Sequence, residues 1–480
     1  MSEEQQKPEA APPSARVMVA LLLPLFASLM SISSVMVALP AIEQGLGADS
    51  ADLQWVLSGY ALAFGVGLVP AGRAGDIWGR KRVFLIGTAV FAATSLAAAF
   101  SPNPLTLNAM RIAAGLGAAM LVPQIIGMIQ RLFTGPARGR AYGLMSTVIG
   151  VAVAIGPLVG GGLIDFASAE IGWRLVFLIN VPVTVIALIA AFLWLPKPSD
   201  DDVRSATPAA GFMRLDPLGA ALLCAGILLI MLPFIQFTSL AGVALGLGGA
   251  AMLAVWLWWE KRLGVRDPDA PMVNLALFRL PSYTWNSAVL ILYFAGMPGI
   301  WAVVAIYLQQ GIGHGALTAG VVMLPSAIMV ILLASWVGRR VDRKGPKMLI
   351  IGSVASFASM MVLAGAAIME GTQLASVGWV ALALGINGFG QAMIIPSAQT
   401  MSMRDVPEHM AGAAGGVAQS AQRVVTAIGL AVVTAVYFAA LSHSDHRVAL
   451  LMAALVIAIA MVAAVAAAIG AAKRADEARS

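Results

Sequence analysis

Two arginines, Arg111 and Arg423, stand well inside long apolar stretches, where a guanidinium must find a hydrogen-bonding partner, a water-filled cavity or a bound anion. Polar and aromatic side chains recur in comparable apolar settings: Ser31, Tyr60, Gln124, Asn286, Tyr293, Trp301, Asn387, Gln391, Gln419 and Gln422. Such a set suits a mostly apolar pocket with a few orienting groups, although each residue alone fits ordinary interhelical bonding equally well. A second concentration of chemistry is the run Gly72-Arg73-Ala74-Gly75-Asp76-Ile77-Trp78-Gly79-Arg80-Lys81. An acid between glycines and arginines can cap a helix N-terminus or pair with an arginine across an interface, which makes Gly72, Arg73, Asp76, Gly79 and Arg80 a gate latch. The plainer alternative is a basic loop that only fixes topology. Nothing here resembles a catalytic constellation, so no enzymatic activity is expected. The turn His443-Ser444-Asp445-His446 offers two imidazoles and one carboxylate, which reads as a solvated loop rather than a metal site. No Gly-x-x-x-x-Gly-Lys-Ser/Thr loop occurs, so direct use of ATP is not expected, and no cofactor is implied.

The elements that hold these residues follow from composition. Of 480 residues, 60% are hydrophobic and 11% charged, with a mean hydropathy of +0.89. A soluble fold could not cover its surface with so few charges, so the chain is expected to cross a lipid bilayer repeatedly. Fourteen apolar runs are long enough: 17–40, 53–72, 83–100, 105–131, 141–163, 175–195, 217–237, 242–259, 285–308, 317–337, 348–368, 375–401, 412–440 and 448–470. The first exceeds the apolar core of a cleavable signal and is read as a retained span. With the N-terminus inside, 25 of the 29 Lys and Arg fall in cytoplasmic segments, which places both termini in the cytoplasm of a cell whose inner membrane holds the chain. The net charge of +6 belongs to those loops and does not point to nucleic acid. Trp256, Trp258 and Trp259 close the eighth run, where an interfacial belt is the simplest expectation. Cys224 stands alone, so no internal disulfide is possible.

The chain also repeats itself. Gly338-Arg339-Arg340-Val341-Asp342-Arg343-Lys344-Gly345-Pro346-Lys347 follows the tenth run as the Asp76 segment follows the second, at an offset of 266 residues, which brings Asp342 and Arg343 into the gate. Gly115, Gly117, Ala119, Met120 and Pro123 of the fourth run match Gly388, Gly390, Ala392, Met393 and Pro396 of the twelfth at an offset of 273. Two six-helix halves, 17–195 and 285–470, are thus related by an axis along the membrane normal. A polar tail (1–16), a linker (196–216), a two-helix insertion (217–259), a second linker (260–284) and a tail (471–480) complete the organisation.

On these residues the chain resembles the major facilitator superfamily, and within it the fourteen-span drug:proton antiporters. Gly72 to Lys81 is similar to the superfamily's loop signature, and Arg111 with Gly115 and Gly117 to its fourth-span signature. Gly150, Gly156, Pro157 and Gly160 are similar to the fifth-span antiporter signature, which the resemblance associates with export. Val37-Ala38-Leu39-Pro40 and Trp173-Arg174 to Pro182 are also familiar from that family. One position departs: where many members carry an aspartate in the first span, this chain has Ser31.

The resemblance implies an all-α membrane transporter with the major facilitator fold, working as a monomer on the proton gradient and exporting small amphipathic molecules or drugs by alternating access. It assigns proton coupling to Arg111. No carboxylate maps to the middle of a run, so the titrating group is expected to be Asp76 or Asp165. Two buried arginines and no buried acid should disfavour lipophilic cations. A proton-coupled importer of a nutrient or anion, and an exporter of a native lipid or metabolite, remain open from the sequence.

Overall fold

Backbone inside a bilayer must satisfy its own hydrogen bonds, and the described apolar segments do so as helices. The computed structural model describes residues 15–167, 169–196, 216–236, 240–266, 271–314, 316–368 and 373–477. The first half contains α1 (Ala15–Leu46), α2 (Ser50–Trp78), α3 (Arg80–Ala99), α4 (Pro104–Ala119), α5 (Val122–Leu132), α6 (Gly135–Ala167), α7 (Ala169–Leu178) and α8 (Asn180–Trp194). The insertion is α9 (Pro217–Gln236) and α10 (Leu240–Arg266). The second half contains α11 (Pro281–Ile306), α12 (Ala316–Gly338), α13 (Val341–Ile368), α14 (Gln373–Ser402), α15 (Ala411–Leu441) and α16 (His446–Glu477). The polar tail is described only from Ala15, and the linker after α8 is outside the described residues from 197 to 215.

Two of the runs are broken helices. α4 and α5 form one apolar span interrupted at Met120–Leu121, and α7 and α8 form another interrupted at Ile179. In each case a proline follows the break by two or three residues (Pro123, Pro182), where it lacks the N–H that a continuous helix would use. Among the described residues, thirteen spans are long and apolar enough to cross a membrane, and α9 supplies a shorter fourteenth. The fourteen expected runs are therefore all helical. Their large apolar side chains, such as Leu158, Phe166, Phe192 and Ile459, remain exposed, as a lipid-facing surface requires.

The internal repeat is visible in the packing. α1 lies against α6 and α8, α2 against α4, and α3 against α4 and α8. The second half repeats this pattern with α11 against α15 and α16, α12 against α14, and α13 against α14 and α16. The second half has an apolar core of its own, while the core of the first half continues across the seam to Tyr283, Met403, Val406, Ala411 and Ala414. The halves meet along two seams, α2 with α15 and α6 with α12.

The insertion is an antiparallel hairpin whose α9 touches both α2 and α15, so it lies over the first seam. Leu223, Ile227 and Met231 of α9 join the core of the first half. Its charged end is fastened by two buried acids. Trp259 Nε1 donates to both carboxylate oxygens of Asp216 at 3.0 Å, and Trp256 Nε1 donates to Glu260 Oε1 at 3.0 Å. Trp256 and Trp259 are thus anchors turned inward, and the expected interfacial belt is left to Trp258, which is exposed beneath Arg262.

Candidate functional site

At the charged end, the chain reverses between α2 and α3 in a single residue. Gly79 adopts φ 92°, a conformation that side chains resist, and this lets α3 begin directly after α2 ends. The turn leaves Asp76 pointing across the seam at the first turn of α15. Gly412 N donates to Asp76 Oδ1 at 3.2 Å and Ala413 N to Asp76 Oδ2 at 2.9 Å. The N-cap position of α15 is Met410, which has no side chain able to accept these bonds. An acid from the opposite half therefore caps the helix, adding a favourable charge–dipole term.

Arg80 binds this acid and extends the tie. Its Nη2 donates to Asp76 Oδ1 at 3.1 Å and to the Glu408 carbonyl, while Nη1 reaches the Gly127 carbonyl at 2.5 Å. Gln130 Nε2 also crosses between halves, to the carbonyls of Met403 and Val406. Arg73 lies close enough to Asp76 and Glu260 to act electrostatically on both. Lys81 instead binds the last carbonyls of α8 through Leu195 O at 2.6 Å.

Beneath these polar ties the seams are main chain on main chain. A Cβ on Gly72 would fall on the backbone of Gly412, and one on Gly338 on that of Gly139. These pairs are repeats of one another, since Gly72 and Gly338 are 266 residues apart and Gly139 and Gly412 are 273 apart. Gly143 continues the second seam against Ala334 and Ser335. Gly150 follows against Val330, 3.2 Å from where its Cβ would lie. The repeat is imperfect at the latch, because Asp342 and Arg343 are exposed. Asp342 lines a cleft of 380 Å³ with Gly135, Pro136, Arg138 and Arg404, and caps no helix across the seam.

The glycines of the fifth-span signature divide between two tasks. Gly150 lies in the inter-half seam, whereas Gly156 packs on Met30 and Ser33 and Gly160 on Ser34, all on α1 of the same half. Pro157 sits between them inside α6. The seal between halves is built by Gly139 and Gly143, which the sequence reading did not select although the repeat offset pointed to both.

Midway along the helices, α4 presents Arg111, buried to 1% exposure. Its Nε donates to the Val56 carbonyl at 2.9 Å, its Nη1 to Ser31 Oγ at 3.3 Å, and its Nη2 has no partner. The Tyr60 ring lies 4.3 Å from its Cζ, and Tyr60 stacks on Phe64 with centroids 6.2 Å apart. Arg423 of α15 approaches the far side of this pair, its Cζ 4.8 Å from the Phe64 centroid. Gln419 and Gln422 flank Arg423 on α15, and Ser420 Oγ donates to the Gly65 carbonyl at 3.0 Å. Ser31, Tyr60 and Arg111 thus form one cluster, with Arg423 facing it from the second half.

Other expected pocket residues lie elsewhere. Gln124 is fully buried near the charged end, with Nε2 on the Ala71 carbonyl at 2.7 Å and its side chain filling the space beside Gly75. Asn286 bonds Ser282 in its own helix. Tyr293 is edge-on to Phe294 inside the second core. Trp301 and Gln391 are half-buried in the second half. Asn387 is completely buried with neither amide atom partnered. The Asp165 side chain lies outside the described residues, and only its place on α6 is known. Among the described residues no group of His, Cys, Asp and Glu forms a metal site, and His446 bonds Tyr437 Oη through Nδ1 at 2.8 Å.

The inter-half contacts named above span Gly72 to Phe64 on α2 and Gly139 to Gly150 on α6. Beyond those points α15 turns to α11, with Gly429 on Ala295, and α6 to α1. The two halves are therefore clamped at the charged end and part toward the other, with Arg423 at the level of the parting.

Comparison with known proteins gives a consistent picture. The family model described as Major Facilitator Superfamily matches residues 21–430. The probable actinorhodin transporter of Streptomyces coelicolor is 32% identical over 440 residues, covering 89% of this chain and 73% of that protein. The tetracenomycin C resistance and export protein of Streptomyces glaucescens is 32% identical over 399 residues, covering 83% of this chain and 71% of that one. Among solved structures, the human organic anion transporter MFSD10 superposes with a TM-score of 0.66, covering 95% of this chain and 100% of the other, at 17% identity. That last likeness concerns the fold alone.

Proposed function

Because the chain belongs to the major facilitator superfamily, we propose that it is a secondary transporter that exports small amphipathic molecules in exchange for protons. Relatives named for transport, resistance and export support the direction. The observation that carries the reading is the asymmetry of the seams: the halves are latched at one end and part at the other, which is one of the two states alternating access needs. In this reading the excess of Lys and Arg makes the latched end the cytoplasmic one of an inner membrane, with both termini on that side, and the described state faces outward.

In this reading Asp76 is the coupled group. As a carboxylate it holds the N-terminus of α15 and Arg80. Protonation removes its charge and weakens both ties, freeing the cytoplasmic end to open. Arg111, and Asp165 at the outer end of α6, are the further coupling residues. The transporter works as a monomer and needs no cofactor beyond the proton gradient. Everted vesicles loaded with an acidic interior and an acridine dye test this. Substrate-induced dequenching in the parent, and its loss in both Asp76→Asn and Asp165→Asn, is expected for their respective roles. Accumulation that ignores the proton gradient, or substrate movement out of everted vesicles, would overturn the reading.

A further inference from the structure

The Tyr60–Phe64 pair has a guanidinium at each end, one from each half of the molecule. Arg111 stands over Tyr60 and Arg423 over Phe64, at 4.3 and 4.8 Å from the ring centroids. Ring faces accept part of a cation's field but offer no lone pair to a directed N–H. Consistent with this, Arg111 Nη2 and Arg423 Nε are buried without an acceptor. The neighbour that the two guanidinium groups share is the neutral Tyr60 phenol, and among the described residues no carboxylate acts on either. Acids lie near helix ends or in the turns beside them, among them Asp76, Asp216, Glu260 and Asp342 at the charged end and Glu43, Asp49 and Asp52 at the other. Among the described residues, two positive charges thus occupy the middle of the molecule with donors to spare and no counter-charge.

We propose that this is an anion subsite, and that the transported class is an amphipathic acid carrying an ionised carboxylate, sulfonate or acidic phenolate. The inference rests on the transport reading and names its substrate. Arg423 is half-buried where the halves part, so its guanidinium is the anchor for the charged oxygens. Arg111, held behind Tyr60 by Val56 O and Ser31 Oγ, supplies the second positive charge. Phe64, buried between Tyr60 and Arg423, is an apolar partition that keeps the two charges apart and off any shared solvent. A lipophilic cation entering the same place meets two like charges and no acid.

The test is binding to the full-length chain in lipid nanodiscs at pH 7, using matched pairs of probes: fluorescein against rhodamine 123, and 2-naphthalenesulfonate against 2-naphthyltrimethylammonium. Each anion is expected to bind at least tenfold more tightly than its cationic partner. Arg423→Gln is expected to lower anion affinity at least tenfold, and Arg423→Lys, which keeps the charge, to retain most of it. Failure of the anion to exceed its cation in both pairs overturns the proposal even if Arg423→Gln does not fold. Unchanged anion binding in a folded Arg423→Gln protein also overturns it. Everted-vesicle transport of the same probes separates the two readings. Anion binding without proton-dependent movement would refute export while leaving the subsite, and proton-driven export of the cations alone would refute the subsite while leaving export.

Discussion

At the scale of single residues, the carboxylate of Asp76 does what the N-cap of α15 cannot. Removing it with Asp76→Ala leaves two helix N–H groups uncapped, which costs roughly 0.5–2 kcal/mol for a cap. That corresponds to a shift of about tenfold in the balance between closed and open cytoplasmic ends. Spin labels at the exposed positions Arg140 and Arg339 should report it as a longer distance population, and an unchanged distribution would show that the latch lies elsewhere. Ser31→Asp offers the opposite manipulation. Its Oγ already accepts from Arg111 Nη1, so a carboxylate there would pair with the guanidinium. Cationic probes should then gain on anionic ones, read as a reversed or reduced ratio of affinities. Much of this chemistry could be read in advance: an acid between glycines suggested a helix cap, and Arg111 and Arg423 stood out as isolated charges. What could not be read is the other side of each bond. Arg80, Gln130 and Gln124 all bind backbone carbonyls, which every residue carries, so no residue type marks the partner.

At the scale of elements, the seams depend on side chains that are absent. A methyl group at Gly338 would sit against the backbone of Gly139 and 3.0 Å from Cα of Gly143. Gly338→Ala is therefore expected to push α12 off α6 and abolish transport by tenfold or more at unchanged membrane expression. Gly246→Ala, which meets nothing within 4 Å, should be indistinguishable from the parent. Equal activity in the two variants would mean that the seam does not need this approach. The repeat made the halves legible because duplicated glycines and prolines keep their spacing even where apolar residues drift. The fifth-span glycines were legible as a place of close helix approach and no further, since a glycine permits approach without naming the neighbour, and Gly156 and Gly160 face α1. The insertion was also only half legible. Its tryptophans suited a membrane interface by composition, and nothing local announced that Asp216, some 40 residues earlier in the chain, would receive one of their indoles.

At the scale of the whole molecule, hydropathy was enough to read a chain that crosses the bilayer many times, because lipid leaves a backbone few ways to satisfy itself, whereas the major facilitator fold was legible through the repeat and the resemblance. Which end is closed was not, since the same sequence must build both states. The pair of uncompensated arginines has a further, electrical consequence. If the halves rock about the cluster, its positive charge is exposed first to one aqueous phase and then to the other, so the empty carrier moves charge through the membrane field. A bound monoanion cancels part of that charge. Exchange of one such anion outward for one proton inward carries two positive charges inward per cycle. Voltage then contributes about 2.3 kcal/mol per charge for each 100 mV. In everted vesicles, collapsing the voltage with valinomycin and potassium should accordingly slow transport more than collapsing the pH difference with nigericin. The exporter would draw on the membrane as a battery more than as a store of acid.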